Sequence, residues 1–277
     1  MRPSTIAINI ISSFLVTLSA QANEPSLRHS VIYRGQEVGS RLSHLVPVIH
    51  ALNPEQKSDT FNNCSGAYLA PDIVITAAHC LPQMANGKMV IFPELKNGLT
   101  MDSLMNSERV MVKTFTAHPS FERKAGNALE AYSDIALIKL SKSISSAKLV
   151  SLPARSRALS PKMDLLILGW GKSSYWNSEV KLRWASVVPD PQSLTQSRNL
   201  KFSHFPGKNG ETFCPGDSGG PTLLQSSEGF EIIGVQSGSK GCGNPFGLFH
   251  NQNFITFVPS HLDWIESVIQ SWRETEI

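Results

Sequence analysis

Three short segments of this chain carry residue types that can do covalent chemistry. Thr76-Ala77-Ala78-His79-Cys80 sets a histidine directly after an apolar run. Ser133-Asp134-Ile135-Ala136-Leu137 sets a carboxylate at the start of another, and Gly216-Asp217-Ser218-Gly219-Gly220-Pro221 sets a serine among glycines ahead of a third. A serine hydroxyl is a poor nucleophile at neutral pH and needs a base beside it to take its proton. His79 can accept that proton and later deliver it to a leaving amine. A carboxylate such as Asp134 can fix the imidazole tautomer and stabilise the positive charge that develops there. Each segment alone has a plain structural reading: a packed histidine, a strand-capping aspartate, a glycine turn. The three lie so far apart in sequence that only the fold could join them, and the signal is their joint presence.

The elements that must position them read as short strands. Apolar runs rich in Val, Ile and Leu are separated by Gly, Pro, Asn and Ser, which predicts an all-β sandwich or barrel. Tyr68-Leu69 and Ile73-Val74-Ile75 flank a turn at Pro71-Asp72. Ile135 to Leu140 and Leu165 to Leu168 are further strands, and Leu223-Leu224 and Phe230 to Val235 flank a polar turn at Ser226 to Gly229. Ser141 to Arg157 is the candidate linker between two β halves, and Pro189 to Gly210 reads as loop. One helix is predicted, at the C-terminus, capped by Ser260 with Asp263 answering the cap. Leu262, Ile265, Val268, Ile269 and Trp272 would form its packing face.

At the three reactive segments the chain resembles the trypsin/chymotrypsin family of serine proteases, whose His, Asp and Ser motifs come in this order. Subtilisin-like proteases and α/β-hydrolases order the same residue types differently. Ala117-His118-Pro119-Ser120-Phe121, Leu168-Gly169-Trp170-Gly171 and Asp263-Trp264-Ile265 are also similar to family segments, and the likeness runs from about Ile32 to Trp272. It implies two six-stranded antiparallel β-barrels with a C-terminal helix and the active site in the cleft between them. Residues 32–145 would form the barrel carrying His79 and Asp134, and residues 146–277 the barrel carrying Ser218 and the helix. The implied catalytic residues are His79, Asp134 and Ser218, with the Gly216 and Ser218 N–H groups as the oxyanion hole. Loss of one such donor typically costs about 10²–10³ in rate. The four cysteines allow three pairings on their own; the resemblance selects Cys64–Cys80 and Cys214–Cys242.

The resemblance also places a substrate pocket. Thr212 would lie at its base, where trypsin-like enzymes carry an aspartate, so strict cleavage after Arg or Lys is not expected. Phe213 either narrows the pocket or packs beneath it. Ser237-Gly238-Ser239 would form one wall, and Gly247 would keep the pocket accessible. Thr212 and Ser239 offer hydroxyls suited to a polar or small P1 side chain. Asp217 would be the activation partner of a freed N-terminal amine, with Ile32-Tyr33-Arg34-Gly35 as the matching start. Val31, not a basic residue, precedes it. Either another protease trims there or Asp217 finds a different partner.

The whole chain bounds these readings. Among 277 residues, 41% are hydrophobic and 17% charged, which favours a packed globular protein over a disordered one. A formal charge of +3 with no Lys/Arg run gives no support for a nucleic-acid partner. Residues 1–22 read as an export signal: Arg2, an apolar stretch from Ile6 to Leu18, then Ala20-Gln21-Ala22 as a small-x-small cleavage site. Residues 23–31 would be a short lead-in or propeptide. Export to the periplasm or cell exterior favours disulfides, and no Cys-x-x-Cys pair points to zinc. The expectation is a monomeric, exported serine endopeptidase that acts on proteins or peptides through an acyl-enzyme. It would use no metal or other cofactor and have no membrane partner once the signal is gone. A non-catalytic binding protein on the same scaffold and a hydrolase of small esters are the alternatives.

Overall fold

A computed structural model of the chain describes residues 36–38, 42–52, 63–81, 88–95, 98–123, 131–172, 180–189, 191, 212–240, 242 and 252–275. The expected signal and lead-in, residues 1–31, lie outside these, as do the Ile32–Gly35 start, Gly247 and most of the loop expected over 189–210.

The first barrel is built from β2 (Val48–Leu52), β3 (Asn63–Ser65), β4 (Ala67–Ala70), β5 (Ile73–Thr76), β6 (Lys88–Phe92), β7 (Val110–Ala117) and β10 (Ala136–Leu140). Its strands lie in the order β3-β2-β6-β7-β10-β5-β4, each pair antiparallel. The two edge strands, β3 and β4, are consecutive in the chain with only Gly66 between them, so the sheet curls until its edges meet. Counted as one bent strand they give the six expected; counted separately they give seven. A Cβ at Gly66 would lie 2.6 Å from Val74 Cγ1, so this corner has no room for a side chain. All five residues of β10 are buried, because β5 and β7 flank it and the core covers it. Lys139 in that strand meets Asp72 of the predicted hairpin turn at 2.8 Å, which gives its nearly buried charge a partner.

The second barrel takes the order β1-β12-β11-β13-β14-β15, from Gln36–Glu37, Arg183–Val187, Leu165–Gly169, Pro221–Ser226, Gly229–Lys240 and Gln252–Phe257. Leu165, Ile167, Ala185, Val187, Phe213, Ile233 and Ile255 form its own buried cluster. β1 comes from the N-terminal part of the chain, yet it pairs Gln36 with Trp184 and Glu37 with Arg183. The first half of the sequence therefore lends a strand to the second barrel. Two further strands, β8 (Glu122–Arg123) and β9 (Ala131–Tyr132), pair by themselves ahead of Asp134.

The expected linker carries no strand of its own and ties both barrels: Val150 N–H donates to Tyr68 O and Ser151 N–H to Phe230 O. The C-terminal helix spans Leu262–Glu274, and Leu262, Ile265, Val268, Ile269 and Trp272 pack on the main core as the periodicity predicts. Its start differs from expectation. Val258–His261 forms a 3-10 turn carrying Pro259, so Ser260 lies inside that turn, exposed, and His261 occupies the cap without a side-chain bond to the helix, its ring meeting Phe257 O at 2.9 Å. Arg155 instead bonds Asp263 and Glu266 on the first turns. No helix among the described residues is long and apolar enough to cross a membrane.

Candidate active site

The site sits where the two barrels touch, and the first barrel supplies the base. β5 ends at Thr76, and the 3-10 turn Ala78–Cys80 follows, presenting His79 with 13% of its side chain exposed. Asp134 lies just ahead of β10 and is fully buried. Its carboxylate holds the histidine twice: Oδ1 accepts the His79 backbone N–H at 2.8 Å and Oδ2 meets the ring Nδ1 at 2.7 Å. This fixes both the position and the tilt of the ring and leaves Nε2 outside the bonds to the carboxylate. The second barrel completes the aspartate's shell, with the Ser237 hydroxyl donating to Oδ2 at 2.5 Å and the Thr256 hydroxyl donating to the Asp134 carbonyl at 3.0 Å. Burial pushes this carboxyl up, but the bonds and charge of His79, with the Ser237 hydroxyl, win and hold it below the ordinary carboxylate range.

The serine arrives on a tight loop whose shape the glycines set. Gly216 has φ +103° and Gly219 φ +81°, a backbone region that side-chain-bearing residues avoid. A Cβ at Gly219 would also fall 2.1 Å from Thr76 Oγ1, so only glycine lets the loop rest against the end of β5, three residues from His79. Ser65 clips the contact. Its N–H donates to Ser218 O at 2.7 Å, its hydroxyl donates to Gly216 O at 2.9 Å, and the Ser65 hydroxyl oxygen accepts Trp170 N–H at 2.9 Å. Neither Gly216 N–H nor Ser218 N–H donates to another described residue. Among the described residues the Ser218 hydroxyl is not hydrogen-bonded to His79. Such contacts commonly tighten only when substrate is bound.

Asp217 is fully buried; its Oδ1 accepts Gly171 N–H at 2.7 Å and its Oδ2 accepts Cys214 N–H at 2.8 Å. Burial pushes this carboxyl up to about 7 against the pull of those two N–H groups and of Arg183. The disulfides are Cys64–Cys80 and Cys214–Cys242, with S–S distances of 2.04 and 2.07 Å. The first joins β3 to the His79 turn; closing a loop with a sequence separation of 16 is worth about 3 kcal/mol in the entropic account. Cys64, His79 and Cys80 bring ligand-type atoms within 4.8 Å of one another, but both sulfurs are spent in the disulfide and offer no thiolate to a metal.

The pocket residues are distributed differently from the sequence expectation. Phe213 turns into the core of the second barrel. Thr212 is fully buried, and its hydroxyl donates to Asn253 Oδ1 at 2.9 Å. Asn253, which sequence reasoning missed, pairs across the sheet with Ser239, and its Oδ1 also accepts Phe213 N–H at 2.8 Å. The Ser239 hydroxyl donates to Phe213 O at 2.5 Å. Thr212 and Ser239, expected to greet a polar substrate side chain, thus spend their hydroxyl protons on the protein. Ser237 bonds Asp134 from β14, where Gly238 follows it. Ser65 was also missed, its one sequence cue being its place between Cys64 and Gly66.

Comparison with known proteins agrees with this geometry. A family model described as Trypsin matches residues 40–265. Chymotrypsin-like elastase family member 3A of Homo sapiens is 29% identical over 281 residues, covering 95% of this chain and 99% of that protein. Chymotrypsin-like elastase family member 3B of Macaca mulatta is 30% identical over 240 residues, covering 80% and 88%. Chymotrypsin-C of Bos taurus is 25% identical over 281 residues, covering 96% and 99%. With the family match spanning most of the sequence and both barrels in place, the chain belongs to the trypsin family of serine proteases.

Proposed function

We propose that the chain is an exported serine endopeptidase in which Ser218 attacks the peptide carbonyl, His79 is general base and then general acid, and Asp134 orients and charges the imidazole. Ser218 Oγ forms a bond to the carbonyl carbon as its proton passes to His79, and the oxyanion is held by the Gly216 and Ser218 N–H groups. The C–N bond then breaks, the amine leaves with the proton from His79, and water repeats the sequence on the acyl-enzyme. The doubly held His79 beside two uncommitted N–H donors carries the reading.

Specificity follows from the floor of the pocket. The Thr212, Phe213, Ser239 and Asn253 groups bond one another, and Thr212 offers no charge to a Lys or Arg side chain. Asn253 is fully buried and ties Thr212 to Phe213 through its Oδ1. Small uncharged P1 side chains such as Ala, Ser or Val fit this arrangement best.

The test is a fluorophosphonate reagent with intact-mass readout on the purified protein and on Ser218→Ala, followed by a P1-varied peptide series. One adduct, absent from the variant, and turnover highest at Ala or Val are expected. An unlabelled protein with no turnover on any peptide overturns the assignment. For the pocket, Asn253→Gly should raise kcat/KM on Phe or Leu at P1 by roughly tenfold, about the 1–3 kcal/mol a hydrophobic pocket can discriminate. An unchanged profile would remove Asn253 from the specificity argument.

A further inference from the structure

The sheet of the second barrel loses a backbone donor just behind Ser218. β11 and β13 pair from Leu165↔Leu224 to Ile167↔Thr222, and one more step of that register would set Leu168 opposite Pro221. Proline has no N–H to give a neighbouring strand, so Pro221 cannot offer one to Leu168 O. Gln236 of β14 does so in its place. Its side-chain Nε2 donates to Leu168 O at 2.9 Å and to Pro221 O at 3.0 Å, reaching across β13 to β11. Both acceptors are carbonyls, so the NH2 end of the amide must face them. Gln236 is fully buried, and its Oε1 has no partner among the described residues, so the amide acts here through what it donates. A Cβ at Gly220 would fall 2.3 Å from Leu168 O and 3.1 Å from Gln236 Nε2, so this glycine leaves the gap that the amide occupies.

The backbone of the same residue continues the grip. Gly219 N–H donates to Gln236 O at 2.7 Å, and Gln236 N–H donates to Gly220 O at 2.9 Å. One residue therefore bonds Gly219, Gly220 and Pro221, the three that follow Ser218, and ties them to β11. Successive side chains of a strand project to opposite faces, and the next residue, Ser237, bonds Asp134. We propose that Gln236 is a positioning residue for the nucleophile. Its amide stands in for the N–H that Pro221 lacks and fixes the Gly219–Pro221 segment, and through it the Ser218 hydroxyl and N–H. The backbone bonds do not depend on the side chain, so the part played by the amide can be removed by itself. The inference rests on the role of Ser218 given above.

The experiment compares the active wild-type protein with Gln236→Met and with Gln236→Met/Pro221→Ala. Each is measured for kcat and KM on one small-P1 peptide, for the rate of fluorophosphonate labelling and for its pH profile, with a thermal melt to show that it is folded. Methionine keeps the length and bulk of glutamine without its donors. Gln236→Met should lower kcat by about tenfold or more, since a misplacement of about 1 Å can cost on the order of 10². KM should stay within about twofold, because the pocket floor is untouched, and labelling should slow in parallel with kcat. The acid limb of the pH profile should not move, because the His79–Asp134 bonds are intact. Pro221→Ala returns a backbone N–H at the position opposite Leu168, so the double variant should recover to within about threefold of wild type, a non-additive result. A kcat equal to wild type in Gln236→Met, a defect that falls on KM, or a double variant no better than the single one overturns the proposal. A shifted acid limb also overturns it, since the effect would then run through Ser237 and Asp134. Should Gln236→Met fail to fold, a folded and active double variant supports the proposal, and a double variant that is unfolded or inactive leaves Gln236 a packing residue and overturns it. All these outcomes leave the serine protease assignment intact; absence of turnover and labelling in the wild type defeats that assignment and this inference together.

Discussion

Asp134 accepts hydrogen bonds from two barrels on one carboxylate: His79 twice from the first and the Ser237 hydroxyl from the second. Asp134→Asn keeps the shape but loses the charge and one acceptor, so the ring is free to adopt the wrong tautomer. A loss of about 10⁴ in kcat is expected with folding retained. Ser237→Ala removes a single bond to a charged group and should cost far less, about tenfold in kcat, in line with the 1.5–3 kcal/mol of such bonds. A Ser237→Ala defect as deep as that of Asp134→Asn, measured on the same peptide, would contradict this ranking. Asp134 was visible in the sequence inside its local motif, whereas Ser237 was expected only as a pocket wall and its bond to Asp134 was not foreseen. Ser65 and Asn253 were not visible, because what they do depends on partners more than a hundred, or some tens of, residues away across a barrel. No local pattern of residue types encodes the Ser65–Trp170 or Thr212–Asn253 bond.

At the scale of elements, the strands were readable from apolar runs and turn residues, while helix capping was not. Ser260 and Asp263 satisfy the spacing of a capping box, yet Val258-Pro259 starts a 3-10 turn first, and the cap passes to His261. That histidine has a further consequence. His118, just after β7, packs edge-on against both His261 and Trp264, with ring centroids 5.0 Å apart in each pair, and so latches the C-terminal helix to the first barrel. Burial lowers the affinity of both imidazoles for a proton, and for His118 the charge of His261 lowers it further. The unfolded chain then takes up protons before the folded one as pH falls. Stability present above the ordinary imidazole range, about 6.5, is lost as pH drops through the lower native values. Thermal melts from pH 7.5 to 5 should show a falling midpoint, by about 2–4 °C for each kcal/mol lost, and His261→Leu should flatten the slope. A slope unchanged by that substitution would place the acid sensitivity elsewhere.

For the whole molecule, the two-barrel plan puts the proposed site at the seam: neither barrel alone holds both His79 and Ser218. Ser65 is the smallest part that joins them, with its hydroxyl between Gly216 O of the serine loop and Trp170 N–H of the second barrel. Asn63 adds a parallel tie, its amide donating to Trp170 O at 3.0 Å. Ser65→Ala removes one atom and strands two groups at the seam, each costing about 1–3 kcal/mol when it is left without a partner and without water. The summed loss should lower the melting midpoint by on the order of 5–10 °C. It should also reduce kcat more than it raises KM, since the groups set free belong to the loop that carries the oxyanion donors and not to the pocket floor. Reaction with a fluorophosphonate should slow in proportion to kcat, because that reagent depends on the same donors. If the variant melts early but keeps full kcat, Ser65 is a structural rivet alone, and the seam transmits no positional information to Ser218. If it keeps both, the seam is held elsewhere, with the Ser237 and Thr256 bonds to Asp134 as the remaining ties between the barrels at the base.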